Sequence, residues 1–306
     1  MADGDQPGAV APVAVGTRLL LALSRGISRL PLDRALAVGR GIGWVLGTVI
    51  RHRRAESAEA IRRSLPGLGE REVAGVLRGM YDNFGQSTME SLWLTPEALE
   101  SYLRERVEVH GRGIVEAELA KGRGALMLTA HAGNFDLLGR VSRALGFPLT
   151  IISKTVRSAA LEAFGRAVRD RFGMRVLPAH GSYRDCLRTL RRNEMLGFVL
   201  DQNMTLADGI FVDFFGRPAC TTPGLAYLSG QSGASVIPIF IERIGGGRHA
   251  IRVLAPIAPP PDLKPGSIHA ATQAYSRVTE DWIRAHPGQW IWIHRRWKTQ
   301  PPAGGR

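Results

Sequence analysis

The pair of side chains best suited to proton transfer is an imidazole and a carboxylate five residues apart, His131 and Asp136. They lie in Ala125-Leu-Met-Leu-Thr-Ala-His131-Ala-Gly133-Asn134-Phe-Asp136, an apolar run that leads into a histidine, a Gly-Asn turn and a helix start. In a continuous helix, residues five apart point about 140° away from each other. The turn after His131 is therefore needed to bring the two groups together. A carboxylate beside an imidazole fixes its tautomer and favours its charged form, which makes a usable general base. Asn134 is a candidate helix cap, and Asp136 falls in the first turn, where the helix dipole favours negative charge. One His and one Asp at this spacing are more often structural than catalytic. The strand end alters that balance, because ligands gather at the carboxyl ends of strands in open α/β sheets.

The elements that position this pair are legible as short apolar runs between amphipathic segments. Runs at 107–109, 124–128, 149–152, 175–177, 196–200, 236–241 and 251–254 predict strands. Segments 159–172, 183–193 and 224–232 predict helices between them. Such alternation predicts an α/β fold with a largely parallel central sheet flanked by helices. Residues 70–105 read as helical, with Pro96 marking a new start. The expected division is a helical membrane-associating N-terminal region over 1–65, an α/β domain over 66–302 and a short tail over 303–306.

The N-terminal region differs in texture. A Leu, Ala and Val-rich segment carrying Arg18, Arg25 and Arg29 precedes Pro31, and a second apolar segment runs to Ile50. In the second, Ala35, Gly39, Gly43 and Gly47 recur every four residues, a small-residue face that lets another backbone approach. Tight packing inside a soluble domain and contact with a membrane both account for that face. Arg51-His52-Arg53-Arg54 and Arg62-Arg63 follow, a basic cluster of the kind an anionic lipid surface attracts. The chain of 306 residues has a formal charge of +13, so polyanions of any class are attracted to it. Its two cysteines, Cys186 and Cys220, exclude a disulfide scaffold or zinc ribbon, and no metal-site spacing appears.

The stretch His131-Ala-Gly-Asn-Phe-Asp136 resembles the first block of the lysophospholipid acyltransferase superfamily, in the form used by its bacterial lipid A biosynthesis acyltransferase branch. Four further motifs are similar to that branch: Leu161 to Gly173, containing Arg169; Gly197-Phe-Val-Leu-Asp201-Gln202-Asn203; Gly209 to Ala219, containing Phe214-Phe215-Gly216; and Gln289 to Thr299, containing His294-Arg295-Arg296-Trp297-Lys298. Asp136 stands where the branch more often has Glu, Phe135 where it has Trp, and Ser64 where it has Asn. The resemblance implies an O-acyltransferase with a His131–Asp136 dyad, acting in lipid A or lipopolysaccharide biosynthesis. It implies an acyl thioester as co-substrate, on acyl-carrier protein or coenzyme A, and no resident cofactor. The acceptor would be a lipid A precursor or related glycolipid, and the protein would sit at the cytoplasmic face of the inner membrane, peripherally or by a single N-terminal anchor.

The remaining candidates have two readings each. Arg169 is expected to meet an acceptor phosphate or the site carboxylates, or else to be a surface charge on its helix. Asp201, Gln202 and Asn134 are expected to contact substrate, Asp201 from a strand end where a carboxylate orients an Arg or a sugar hydroxyl. Phe211, Phe214 and Phe215 offer an apolar wall for an acyl chain or plain core, and Trp290, Trp292 and Trp297 an interfacial belt or a terminal strand. The rival class is a non-enzymatic basic protein that binds membrane or nucleic acid. It explains the charge but not His131 at a strand end, and no nucleic-acid module is present. An esterase, or an acyltransferase of phosphatidylinositol-mannoside or lysophospholipid type, uses the same dyad.

Overall fold

The computed structural model describes residues 15–154 and 158–302. The expectations for residues 1–14 and for the tail 303–306 lie outside these. Helices α1 (Val15–Ile27), α2 (Leu32–Trp44), α3 (Arg54–Ser64), α4 (Glu70–Trp93) and α5 (Pro96–Arg106) precede strand β1 (Val107–His110). Then follow α6 (Arg112–Leu119), β2 (Ala125–Thr129), α7 (Phe135–Ala144), β3 (Leu149–Ser153), α8 (Ala159–Arg171), β4 (Arg175–Pro178), α9 (Tyr183–Arg191) and β5 (Met195–Val199). The chain continues with β6 (Ile210–Phe214), β7 (Arg217–Thr221), α10 (Gly224–Ser232), β8 (Val236–Gly245), β9 (Arg248–Val253) and α11 (Pro265–Ala285).

Seven strands form one sheet in the order β1-β9-β8-β2-β5-β3-β4. The β8 to β4 part is parallel throughout; β9 runs antiparallel to β8, and β1 lies parallel to β9. This is the largely parallel α/β sheet that the alternation predicts. Its central strand β2 is buried along its whole length because both faces are covered by helices. Ala125 and Met127 face a core shared with α5, α6, α7 and α8, while Leu126 and Leu128 face one shared with α9, α10 and α11. A third core closes the carboxyl edge of the sheet. There α3, α4, Phe214, Phe215 and the indoles of Trp290 and Trp292 pack on Ala130 and Ala132.

The small-residue face of α2 packs inside the molecule. A Cβ on Gly85 of α4 would stand 2.0 Å from the carbonyl oxygen of Gly39, and one on Gly43 would stand 2.3 Å from that of Tyr81. The two backbones touch, which is what the four-residue spacing allows. Gly85→Ala is expected to cost at least about 1–3 kcal/mol through forced separation of α2 from α4. Urea unfolding measures this, and an unchanged midpoint would show that the two helices are free to part.

The opposite side of the same region is apolar and exposed. Val38, Ile42, Trp44, Val45, Val49 and Ile50 all present surface to solvent, with Trp44 58 % exposed. A π-helical turn over Val45–Val49 carries this face past the end of α2. No helix among the described residues is long and apolar enough to cross a membrane.

Candidate active site

His131 sits just beyond the carboxyl end of β2, and Asp201 just beyond that of its neighbour β5. The parallel register pairs Thr129 with Val199, so each functional residue lies two positions past a paired one. Equal advance along adjacent strands brings the side chains together. His131 Nδ1 lies 2.7 Å from Asp201 Oδ1, and the His131 backbone N–H donates to Asp201 Oδ2 at 2.9 Å. Trp290 Nε1 donates to the same Oδ2 at 2.6 Å. Burial opposes ionisation of Asp201. The His131 imidazole and the hydrogen bonds from His131 and Trp290 outweigh it and hold the carboxyl well below the usual carboxylate range.

An ionised carboxylate only accepts, so Nδ1 carries the proton and Nε2 presents its lone pair. The Gln202 amide nitrogen stands 3.1 Å from that Nε2. The Phe135 ring meets the imidazole edge-on at 4.6 Å between centroids, and the His294 ring does so at 5.0 Å. Burial pushes the His294 imidazole down, His131 and Arg53 add to that effect, and Asp201 opposes it.

The expected pairing of His131 with Asp136 is not the one formed. Asp136 is the second residue of α7, and its Oδ2 accepts from Arg140 Nη2 at 2.6 Å and from Ser91 Oγ at 2.9 Å. Arg140, one turn further along the same helix, is itself buried and also donates to the Ser91 carbonyl. The turn after His131 thus directs the carboxylate toward α4 rather than back to the imidazole. Asp201, expected to orient an Arg or a hydroxyl, takes the imidazole in its place.

Asn134 occupies the cap position of α7 but does not cap it with its side chain. Its amide instead donates to Glu90 Oε2 at 2.8 Å. Glu90 belongs to a buried polar cluster that sequence reasoning missed. Arg243 donates to both its oxygens at 2.7 Å, and His249 Nε2 lies 3.1 Å from Oε1. Burial alone would raise the Glu90 carboxyl; His249 and Arg243 bring it down to about 2. Asn83, two turns earlier on α4, accepts from Arg243 Nε and donates to the Gly133 carbonyl at 2.9 Å. The available signal was Asn83, Ser87 and Glu90 spaced by four and three on an otherwise apolar helix face.

Gly133 is required at its position. Its φ is +58°, and a Cβ there would stand 2.0 Å from the Ile241 carbonyl oxygen. The turn is clamped further by the C-terminal segment: Gly133 N–H donates to Gln289 O, and Ile291 N–H donates to His131 O.

The other expected site residues lie elsewhere. Arg169, on α8, pairs with Glu162 at 3.1 Å beside the ends of β3 and β4, and among the described residues it makes no hydrogen bond or ion pair with His131. Phe214 and Phe215 are buried against Trp290, Trp292 and Trp297 as core. Trp290 and Trp292 are buried too, in an irregular segment, so they form neither an interfacial belt nor a sheet strand. Arg296 is buried as well, donating to the carbonyls of Gln202 and Cys220 and to Thr221 Oγ1; burial draws its guanidinium down to about 10. It thereby fixes the loop that carries Asp201 and Gln202.

The sequence profile of the bacterial lipid A biosynthesis acyltransferases matches residues 4–299. A lipid A biosynthesis acyltransferase of Haemophilus influenzae is 25% identical over 202 residues, which cover 66% of this chain and 62% of that protein. A phosphatidylinositol mannoside acyltransferase of Mycobacterium tuberculosis is 29% identical over 196 residues, covering 62% and 59%. Both matches span about three fifths of the relative's length. The lipid A biosynthesis palmitoleoyltransferase of Escherichia coli is 23% identical over 276 residues, covering 89% and 88%.

Proposed function

Because this chain belongs to the bacterial lipid A biosynthesis acyltransferase family, we propose that it transfers a fatty acyl chain from a thioester to a hydroxyl of a lipid A precursor or related glycolipid. The observation that carries this reading is His131 at the sheet's carboxyl edge, with Nδ1 held by buried Asp201 and an Nε2 lone pair that an acceptor hydroxyl reaches by displacing the Gln202 amide. Acceptor oxygen attacks the thioester carbonyl as Nε2 takes the hydroxyl proton. The resulting tetrahedral oxyanion collapses, the C–S bond breaks, and His131 returns the proton to the departing sulfur. One ester forms and one thiol leaves, so proton and electron pairs balance without a redox or metal step. Asp201 stabilises the imidazolium that exists between the two transfers. Gln202, whose amide stands at Nε2, is the nearest side-chain donor to the reacting centre, and the start of α7 adds a favourable dipole for developing negative charge.

The donor in this reading is an acyl-carrier protein or coenzyme A thioester. Acidic carrier and anionic acceptor are both drawn to a chain of charge +13. The exposed apolar face of α2 and the π turn lies next to Arg51, His52 and Arg53. That arrangement suits a helix resting on an anionic lipid surface, its apolar side in the acyl boundary and its cations at the headgroups. We place the protein at the cytoplasmic face of the inner membrane, bound peripherally through this face.

The test is mass spectrometry of lipids after incubation with acyl-carrier-protein thioester and total glycolipid extract. Wild-type protein is expected to yield an acylated glycolipid, and His131→Ala to reduce that yield by at least about 10³-fold. Free fatty acid alone from wild type would replace the transferase by a hydrolase. No change in any species with either thioester donor would return the protein to the class of non-enzymatic membrane binders.

A further inference from the structure

A pocket rich in cations lies beside the proposed catalytic centre. It occupies about 290 Å³ between α3 and the C-terminal segment, and the cations Arg63, Arg217, Arg295 and Lys298 in its lining outnumber the carboxylates Glu56 and Glu59, with His294 at one side. It opens onto the same His294 whose ring meets the His131 imidazole at 5.0 Å. The pocket and the base therefore share one wall.

The cations here are unevenly neutralised. Arg295 pairs with Glu56 at 3.0 Å, and Arg63 with Glu59 at 2.6 Å. Arg217 has no carboxylate within ion-pair distance among the described residues, nor does Lys298. The Arg217 guanidinium is half-buried, stacked 3.4 Å over the Trp297 ring, with Nη2 donating to Ser64 Oγ at 2.7 Å. Its buried Nε has no hydrogen-bond partner. Burial first, and then repulsion from Arg63, draw it down to about 10 against the weaker pull of Glu59. A planar donor fork held flat by an aromatic ring, without its own anion, matches the recognition of phosphate.

We propose that this pocket is a phosphate-binding subsite, with Arg217 as its fixed donor and Arg63 and Lys298 as flanking charges. Two substrates of the proposed reaction bring phosphate to this region: the acceptor glycolipid, and the phosphopantetheine arm common to acyl-carrier protein and coenzyme A. The inference rests on the acyltransferase reading only for the source of the phosphate. The phosphate role expected of Arg169 passes to Arg217, because Arg169 is already paired with Glu162.

The first experiment is isothermal titration of the full chain with inorganic phosphate. Saturable binding is expected, weakened at least about 10-fold in Arg217→Gln and in the exposed Lys298→Gln, and preserved in His131→Ala. This readout does not depend on turnover, so it fails or succeeds apart from the acyltransferase reading. Steady-state kinetics then identify the source. A rise in KM for phosphorylated acceptor, absent with the same lipid after phosphatase treatment, assigns the pocket to the acceptor. A rise in KM for acyl-coenzyme A with acceptor KM unchanged assigns it to the donor. Equal phosphate binding by wild type and both variants, or none by any, overturns the subsite.

Discussion

Replacing Asp201 by Asn is expected to lower kcat by on the order of 10³–10⁴, with much smaller changes in KM for donor and acceptor. An amide at this position is free to donate toward Nδ1. It then stabilises the wrong tautomer and removes the negative charge that offsets the imidazolium. Asp201 works through His131, so the distinguishing readout is spectroscopic: ¹⁵N NMR of the His131 ring should show the proton on Nδ1 in wild type and lose that preference in Asp201→Asn. Asp201→Glu should restore part of both the tautomer preference and the rate. Asp136→Asn supplies the contrast. Its carboxylate meets Arg140 and Ser91, so the expected loss is about 1–3 kcal/mol of stability, with kcat falling by less than about 10-fold. The reverse pattern, a dead Asp136→Asn and an active Asp201→Asn, would restore the pairing that the motif spacing suggests and remove Asp201 from the mechanism.

The largest expected effect on stability belongs to Glu90. Its carboxylate, 3 % exposed, is held by Arg243, Asn134 and His249. Glu90→Gln leaves the Arg243 guanidinium buried without its counter-charge, at an expected cost of about 3–5 kcal/mol in urea unfolding at neutral pH. The pH dependence has a definite sign. The Glu90 carboxyl is depressed in the folded state, from 4.5 to about 2, so the unfolded chain takes up its proton first as pH falls. Stability from this group is complete above about 4.5 and is lost progressively as pH falls toward 2. The Gln variant should lose this part of the acid-side decline. A Gln variant that matches wild type both in midpoint and in acid slope would show that the cluster contributes nothing net.

Glu90 and Asp201 also mark where reading the chain falls short. Strands and helices of the sheet were legible because each carries its own apolar period. The apolar run 124–128 reads as a strand and forms one over Ala125–Thr129, buried on both faces, and 183–193 reads as an amphipathic helix and forms one over Tyr183–Arg191. The hairpin of β6 and β7 shows in the sequence as an aromatic motif rather than a strand pattern, and α11 falls outside the helices that the sequence pattern predicts. Phe214 and Phe215 gain their meaning only from the indoles folded onto them, contributed by residues about eighty positions further along.

The spacing of Ala35, Gly39, Gly43 and Gly47 determined a close helix contact; only the fold decided that α4 makes it, leaving the apolar opposite side exposed. In the same way, the residues themselves determined that His131 ends a central strand before a Gly turn. A strand end and a glycine in positive φ are local requirements, set by neighbours in the chain. Which carboxylate reaches the imidazole is not local. Asp136 is five residues away but begins a helix that points it at Arg140, whereas Asp201, seventy residues away, follows a strand laid parallel and in register beside β2. Strand order and register are set by the packing of whole elements around shared cores, and no pattern within a single segment records them.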